Sequence, residues 1–186
     1  MSTEESENYL ICQLSGKITW HLWYFFVYFY MNNKGNIMNI ELNKVYEFDL
    51  TDKMSFGDIS IDRLYDFFKD GRNASFMLEE QLTHWFTDLT RVEGNKDHDH
   101  FDSNGVLYDA KNFTKGGLRF MPSNQMGAGR KFNETIAHEK ADKLVYICCD
   151  IVDFPKVRVV FKSGKELVKS YPKCSVPRKD REVLFG

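Results

Sequence analysis

The dipeptide Asn104-Gly105 restricts the fold of this chain more than any other feature of its sequence. Both residues tolerate the positive φ of a two-residue type I′ turn, so the dipeptide predicts a β-hairpin centred on it. Such a turn fixes the register of the two strands: Asp102 lies opposite Leu107, and His100 lies opposite Asp109. The hairpin therefore determines which side chains share a face.

The predicted hairpin gathers polar side chains on one face, because opposed residues and residues two apart on a strand point the same way. These side chains are His100, Asp102, Asp109 and Lys111. Asp102 and Asp109 become diagonal neighbours with Cβ atoms roughly 7 Å apart, which lets both carboxylates bind one hard cation. With Lys111 one pleat further, the pattern is typical of a Mg²⁺ site for phosphodiester hydrolysis. An ordinary exposed hairpin with a polar face is the alternative.

The spacing of these residues is similar to a known family motif. Asp102, six intervening residues and the triplet Asp109-Ala110-Lys111 follow a predicted helix and precede a basic segment. This order resembles the PD-(D/E)XK nuclease superfamily, which includes many type II restriction endonucleases, over roughly residues 75 to 162. The chain departs from the family pattern at Phe101, where a proline is frequent. The resemblance implies that Asp102, Asp109 and the Ala110 carbonyl hold Mg²⁺, or Mn²⁺ in its place, and that Lys111 serves the attacking water.

Two amphipathic helices are predicted before the hairpin. The first covers Ser60 to Asp70, with Ser60 as its N-cap and Gly71 as its stop signal. The second begins near Ser75 and ends at about Thr90. Each has an apolar stripe at helical spacing, so each is expected to pack one face against a core.

The second predicted helix supplies a further candidate acid. Relatives in the nuclease family often bring a glutamate from the helix before the hairpin. At 100° per residue, Glu79 lies at the margin of the apolar stripe and Glu80 points nearly opposite, so Glu79 is the candidate for completing the metal site. A surface charge favoured by the helix dipole is the alternative interpretation of Glu79.

Two histidines before the hairpin offer a different chemistry. His98 and His100 are two residues apart on a predicted strand, so both imidazoles fall on one face, as in a Zn²⁺ pair or a ββα-metal nuclease. No second Cys or His pair follows at a usable spacing, which argues against a closed structural zinc site. If Asp109 binds the metal, His100 is expected either to hydrogen-bond the metal ligands or to contact DNA.

The segment after the hairpin is rich in glycine. Gly116-Gly117 and Gly127-Ala128-Gly129 let the backbone approach a ligand closely, and a loop with structural glycines is the alternative. The polar side chains of this segment are of the types that contact phosphates and base edges. We predict that the DNA-binding residues are Lys115, Arg119, Asn124, Gln125, Arg130 and Lys131.

Charge is distributed unevenly along the chain, although the net charge is only −2. Glu41 to Asp102 contains fifteen acidic and seven basic residues, whereas Lys111 to Asn133 contains five basic residues and no acidic one. Phe154 to Arg181 contains nine basic and two acidic residues. This asymmetry is expected of a protein whose first half supplies metal ligands and whose second half meets phosphates. Separate solvated faces are the alternative, and the last few residues are predicted to be solvated.

The apolar run Leu144 to Val152 is bounded by charged residues and predicts a strand covered on both faces. A neighbouring strand is predicted at Val157 to Lys162, and a short helix at Phe132 to Asp142. The element order predicts an α/β fold, with a restriction-endonuclease-like mixed β-sheet flanked by helices. A chain of 186 residues suits one substantial core, and we assign residues 38–186 to a single nuclease domain.

Residues 1–37 are predicted to be an N-terminal extension without a function, either loosely packed or upstream of a true start at Met38. Ile18 to Met31 is a run of fourteen mostly aromatic and apolar residues, too short to span a bilayer. Acidic residues before it and the lack of a small-residue cleavage site argue against a signal peptide. Four cysteines without metal-ligand spacing or a disulfide framework predict a reducing, cytoplasmic compartment, and no membrane partner is expected.

These features together predict a Mg²⁺-dependent endodeoxyribonuclease. Sequence-specific cutting of double-stranded DNA by a homodimer is the expected mode, because two symmetric active sites cut both strands at once. The family resemblance implies products with a 5′-phosphate and a 3′-hydroxyl. A DNA-binding module without catalysis is the alternative from a different class, and a ββα-metal nuclease centred on His98 or His100 is a third hypothesis.

Overall fold

The computed structural model describes residues 38–94 and 97–186. The expectations for residues 1–37 lie outside these described residues. The main sheet consists of β1 (Val45–Asp49), β2 (Thr90–Arg91), β3 (His100–Phe101), β4 (Leu107–Phe113), β6 (Val145–Asp150) and β7 (Lys156–Ser163). A second, two-stranded sheet pairs β5 (Leu118–Arg119) with β8 (Ser175–Val176). The helices are α1 (Ile61–Phe68), α2 (Gly71–Trp85), α3 (Glu134–Ala141), α4 (Gly164–Ser170) and α5 (Arg181–Phe185).

The main sheet is mixed and has the strand order β1-β7-β6-β4-β3-β2. β4 and β6 are parallel, and every other neighbouring pair is antiparallel. A parallel pair needs a long crossover connection, and here that connection contains α3. The predicted α/β fold with a mixed sheet flanked by helices is confirmed.

Strand β6 lies in the interior of the molecule, as its apolar sequence predicts. Ile147 and Cys149 pack into the cluster that contains α2, whereas Tyr146 and Cys148 pack into the cluster that contains α3, α4 and α5. Successive side chains of a strand point to opposite faces, so β6 is covered on both sides. The sheet is therefore the middle of three layers.

The predicted boundary between the first two helices is wrong at Gly71. The Ser60 hydroxyl caps α1 by accepting from the Arg63 amide at 3.4 Å, as expected. Gly71 does not simply end that helix but begins α2, because the Asp70 carboxylate accepts a hydrogen bond from the Arg72 amide at 3.0 Å and acts as the N-cap.

The start of α2 rests directly on β4. A Cβ at Gly71 would lie 3.3 Å from the Asn112 Cβ and 3.1 Å from the Thr114 Cγ2, so glycine permits a close approach here. The Asn112 amide donates to the Gly71 carbonyl at 3.0 Å. These contacts set the position of α2 relative to the strand that carries Asp109 and Lys111.

The hairpin register differs from the prediction by one residue. His100 pairs with Tyr108, and Phe101 pairs with Leu107. The Asp102 carboxylate causes the difference, because its Oδ1 accepts from the amides of Asn104 and Val106 and closes a longer loop. This arrangement replaces the expected two-residue turn. A one-residue slip exchanges the two faces of a strand, so the predicted grouping of His100 and Asp102 with Asp109 is wrong.

The C-terminal segment is packed against the main domain rather than solvated. It forms α4, β8 and α5, and Leu184 and Phe185 are buried in the same cluster as α3. The guanidinium groups of Arg158 and Arg181 both donate to the buried Asp150 carboxylate. The expectation of solvated last residues is therefore wrong.

Candidate active site

Two of the predicted active-site residues lie together on one face of β4. The Lys111 ammonium is 2.5 Å from Asp109 Oδ1 and 3.1 Å from the Ala110 carbonyl oxygen. The Asp109 side chain is buried, and that of Lys111 is largely buried. Side chains two residues apart on a strand share a face, so the sequence predicts this pair whatever the register of the hairpin.

Asp99 joins this pair from the segment before β3. Its amide donates to the Tyr108 carbonyl at 2.8 Å, although Tyr108 already pairs with His100, so Asp99 leaves the regular register as in a β-bulge. Its Oδ2 accepts from the Ala110 amide at 2.9 Å and lies 4.0 Å from the Lys111 ammonium. The Asp99 side chain thus accepts the hydrogen bond from the Ala110 amide, which a backbone carbonyl would accept if β3 were longer.

Glu79 reaches the same region from α2. Its side chain is 12% exposed, whereas that of Glu80 is 59% exposed, in agreement with the helical spacing. Glu79 accepts from the Ser75 hydroxyl at 3.3 Å and lies 3.5 Å from the Arg91 guanidinium. Its carboxylate therefore lies beside the edge strand β2, which carries Arg91.

These side chains line one open cleft of about 540 Å³, which we call the acidic cleft. The cleft lies along the part of β4 that follows Tyr108, where β4 no longer pairs with β3. Consecutive residues of β4, which point to opposite faces of the sheet, both line it there. Its carboxylates include Glu79, Asp99 and Asp109, and its cationic side chains are Arg72, Lys111, Arg119 and Lys140. Such a mixture suits a phosphate group held beside a cation.

The acids of the cleft influence one another. Burial raises the pKa of Asp109 to about 7; Lys111 opposes this rise and Asp99 adds to it. Burial also acts to raise the pKa of Asp99, but hydrogen bonding to Asp109, the Lys111 charge and the Ala110 amide together lower it. Burial and then the charge of Asp99 raise the pKa of Glu79. Asp99 and Asp109 thus share the compensation that Lys111 provides, whereas Arg91 compensates Glu79.

The chemistry of the cleft fits a hard cation, although no ready-made metal cage is present. Within residues 38–94 and 97–186, no three His, Cys, Asp or Glu side chains are gathered closely enough to hold a metal ion. The Lys111 ammonium instead contacts Asp109 Oδ1 and the Ala110 carbonyl, two of the oxygens predicted as ligands. Carboxylate and carbonyl oxygens are the donors that Mg²⁺ prefers.

Asp102 does not line the acidic cleft. Its Oδ2 accepts from the Tyr108 hydroxyl at 2.9 Å, and its Oδ1 is used by the loop amides. Tyr108 and Asp109 are adjacent on β4 and point to opposite faces. The structure therefore does not bring Asp102 together with Asp109 and Lys111, and Asp99 stands in its place. The sequence contains one signal for this outcome, because an Asp that starts a turn commonly caps it with its side chain.

The two candidate histidines do not form a pair. His100 is fully buried opposite Tyr108, with its Nε2 2.7 Å from the Glu79 carbonyl oxygen, and burial lowers its pKa. It therefore does not face Asp109 as expected. His98 lines a separate cavity. The structure brings neither histidine into the acidic cleft.

The predicted DNA-binding residues are distributed over several places. Arg119 lines the acidic cleft, and Asn124 lines the neighbouring cavity that also contains His98. Lys115 and Lys131 are exposed on the surface. The DNA-binding role of each remains a prediction.

Two further members of this predicted set hold the glycine-rich loop together. The Arg130 guanidinium donates to the carbonyl oxygens of Ser123 at 2.6 Å and Met126 at 3.0 Å. Gln125 accepts from the Asn133 amide at 2.9 Å. Both side chains thus have partners within the loop, which is an ordered connection between β5 and α3.

The chain was compared with protein-family models, with curated proteins and with solved structures, and none of the three comparisons gave a match. The fold and the site thus define a mixed α/β protein with an acidic cleft at the end of a strand pairing. Any closer relationship has to be argued from the residues themselves. In the described part of the chain, no helix is both long enough and apolar enough to cross a membrane.

Proposed function

We propose that this chain is a Mg²⁺-dependent endodeoxyribonuclease of the PD-(D/E)XK type, with Asp99 in the position first given to Asp102. The observation that supports this most is the convergence of Glu79, Asp99, Asp109 and Lys111 on one cleft. Asp109-Ala110-Lys111 supplies the acid-x-lysine triplet of the family motif, and Asp99 supplies the preceding acid.

The topology supports the same proposal by analogy. After β1 and α1, the helix that carries Glu79 is followed by three antiparallel strands, and a crossover with α3 leads to a parallel strand. This order agrees with a restriction-endonuclease-like sheet. Agreement of folds does not establish an activity, so the proposal depends on the cleft and its test.

The residues of the cleft suggest a division of labour in hydrolysis. Asp99, Asp109 and the Ala110 carbonyl would hold Mg²⁺, with Glu79 nearby, and the bound cation would neutralise charge that develops on the phosphate. Lys111 lies beside both aspartates and would orient and polarise the attacking water. The water oxygen forms a bond to phosphorus as the bond to the 3′ oxygen breaks, which leaves a 5′-phosphate and a 3′-hydroxyl.

Nicking of supercoiled plasmid DNA tests the proposal. Wild-type protein should nick the plasmid with Mg²⁺ or Mn²⁺ and lose this activity in chelator, and Asp109→Ala and Lys111→Ala should each abolish it. Asp66 on α1 and Lys69 at its C-cap form an ion pair outside the cleft and provide matched controls, so Asp66→Ala and Lys69→Ala should keep activity. Equal nicking by the wild type and both cleft variants would show that the cleavage has another source.

A DNA-binding module without catalysis is the second candidate. The contact between Lys111 and Asp109 favours it, since the lysine already compensates the buried acid without a metal. A binder should keep its DNA affinity in chelator and produce no new DNA ends. Gel-shift titration and end-labelling on the same protein sample distinguish the two candidates.

Sedimentation with and without DNA tests the expected homodimer.

A further inference from the structure

A second cavity, of about 830 Å³, adjoins the acidic cleft. We call it the side cavity. Ser123 and Lys140 line both the side cavity and the acidic cleft, so the two spaces share a wall. Nothing in the proposed hydrolysis uses the side cavity, although a polymer bound in the cleft has to pass close to it.

The walls of the side cavity combine apolar and polar groups. Leu107, Pro122 and Ile136 provide an apolar surface, and His98 and Asn124 provide hydrogen-bonding groups. Ile136 is 51% exposed and therefore available to a ligand. Asp97, Glu139, Lys140 and Lys143 add charged groups at the walls. A cavity of this size that offers an apolar surface beside hydrogen-bonding groups can hold a small organic ring system.

The position of Asn124 is held by contacts on both sides. Arg130 donates to the Ser123 and Met126 carbonyls, and Gln125 accepts from the Asn133 amide. Asn133 also caps α3 by accepting from the Ile136 amide at 3.1 Å. The loop and the helix that form part of the cavity wall are thus tied to each other.

Lys140 gives the shared wall a positive charge. Its ammonium lies 3.8 Å from the Asp97 carboxylate, and Asp97 is almost fully exposed. An exposed ion pair is weak, so a phosphate can compete for this lysine. A ligand that extends from the cleft into the side cavity therefore meets a cation first and an apolar wall beyond it.

We propose that the side cavity binds one nucleobase of the substrate strand, next to the phosphate that is cleaved. An amide such as Asn124 can pair with the edge of a base, and Ile136 can cover its apolar face. A base inside an intact duplex cannot reach such a cavity, so the preferred substrate carries an unpaired or displaced base beside the cleaved bond. This inference rests on the proposed function and names its substrate class.

A binding experiment separates this inference from cleavage. Deoxyadenosine monophosphate is titrated into the full-length protein in chelator, and its binding is followed by ligand-detected nuclear magnetic resonance. Asn124→Ala should weaken binding about fivefold, the effect of one lost hydrogen bond, and Ile136→Asp should abolish it. Val183, exposed on α5, provides the matched control Val183→Asp, which should bind like the wild type.

A cleavage experiment completes the test. Short duplexes with and without a single mismatch are digested with Mg²⁺, and the wild type should cut faster beside the mismatch. Asn124→Ala should lose this preference, whereas the control Val183→Asp should keep both the preference and the rate on plasmid DNA. If no DNA is cut but Asn124→Ala and Ile136→Asp still lose nucleotide binding, the nuclease proposal fails and the base site remains. If DNA is cut but these variants match the wild type in binding and preference, the base site is overturned.

Discussion

The carboxylates of Asp99 and Asp109 both lie beside the Lys111 ammonium, at 4.0 Å and 2.5 Å, and each affects the pKa of the other. Two acids in this position share a proton or require a cation, because like charges so close cannot both ionise without compensation. Lys111 supplies part of that compensation. The pair is therefore the natural place to test the proposed activity.

Asparagine substitutions distinguish Asp99 from Asp102. Asp99→Asn should reduce plasmid nicking by about 100-fold or more, because a ligand and a negative charge are lost from the cleft. Asp102→Asn should leave nicking nearly unchanged and lower the free energy of unfolding by about 1–2 kcal/mol, because Asp102 serves the loop and Tyr108. Nicking rates and urea unfolding measure the two effects. Loss of nicking in Asp102→Asn but not in Asp99→Asn would instead support the hairpin register predicted from Asn104-Gly105.

Neighbouring glutamates of α2 offer a second comparison. Glu79→Gln should lower cleavage about 10- to 100-fold, as expected for a group that supports a metal site. Glu80→Gln should have little effect, because Glu80 is exposed on the helix. Cleavage is measured over a range of Mg²⁺ concentrations, and the Glu79 variant should require more Mg²⁺. Identical Mg²⁺ dependence in both variants would remove Glu79 from the metal site.

The buried Asp150 should be important for stability rather than for cleavage. It is 1% exposed and accepts hydrogen bonds from Arg158 and Arg181, so Asp150→Ala leaves these two cations with only their exposed partners, Glu182 and Asp153. We expect a loss of about 3–5 kcal/mol in the free energy of unfolding, the usual effect of breaking a buried ion pair. Asp153 also contacts Arg181 but is 65% exposed, and Asp153→Ala should cost less than about 1 kcal/mol. Urea unfolding of the three proteins checks this difference.

Thiol labelling tests the interior of the sheet. Burial raises the pKa of Cys148 to about 12 and that of Cys174 to about 11, and it also raises the pKa of Cys149. The reactive thiolate is therefore scarce at pH 8.5, and these thiols should resist iodoacetamide in the folded protein. The same peptides should be labelled fully in urea, as peptide mass spectrometry can show. Rapid labelling of Cys148 without urea would contradict its place in the core.

Local patterns predicted much of the fold and part of the site. The apolar run of β6 and the position of Glu79 follow from periodicity, which depends only on neighbouring residues. Asp109 and Lys111 share a face under any register. The register itself was not predictable from Asn104-Gly105 alone, because the Asp102 side chain competes for the amides of the turn.

The remaining errors have a similar origin. Gly71 carries a helix stop signal, but Asp70 caps a second helix at the same place. The basic C-terminal segment resembles a solvated tail, but Arg181 finds a partner in Asp150, which lies 31 residues earlier in the sequence. Contacts between distant residues decide such cases, and composition does not reveal them.

The contact between the start of α2 and β4 also determines the distance between Glu79 and Asp109. An α-helix is a stiff rod that rises about 1.5 Å per residue, so Glu79 stands about 12 Å along the axis from Gly71. The close contact between Gly71 and Asn112 therefore sets the distance between α2 and β4, and with it the distance between Glu79 and Asp109. A larger side chain at position 71 would displace α2 from β4 and move Glu79 away from Asp109, although no acidic residue would be changed.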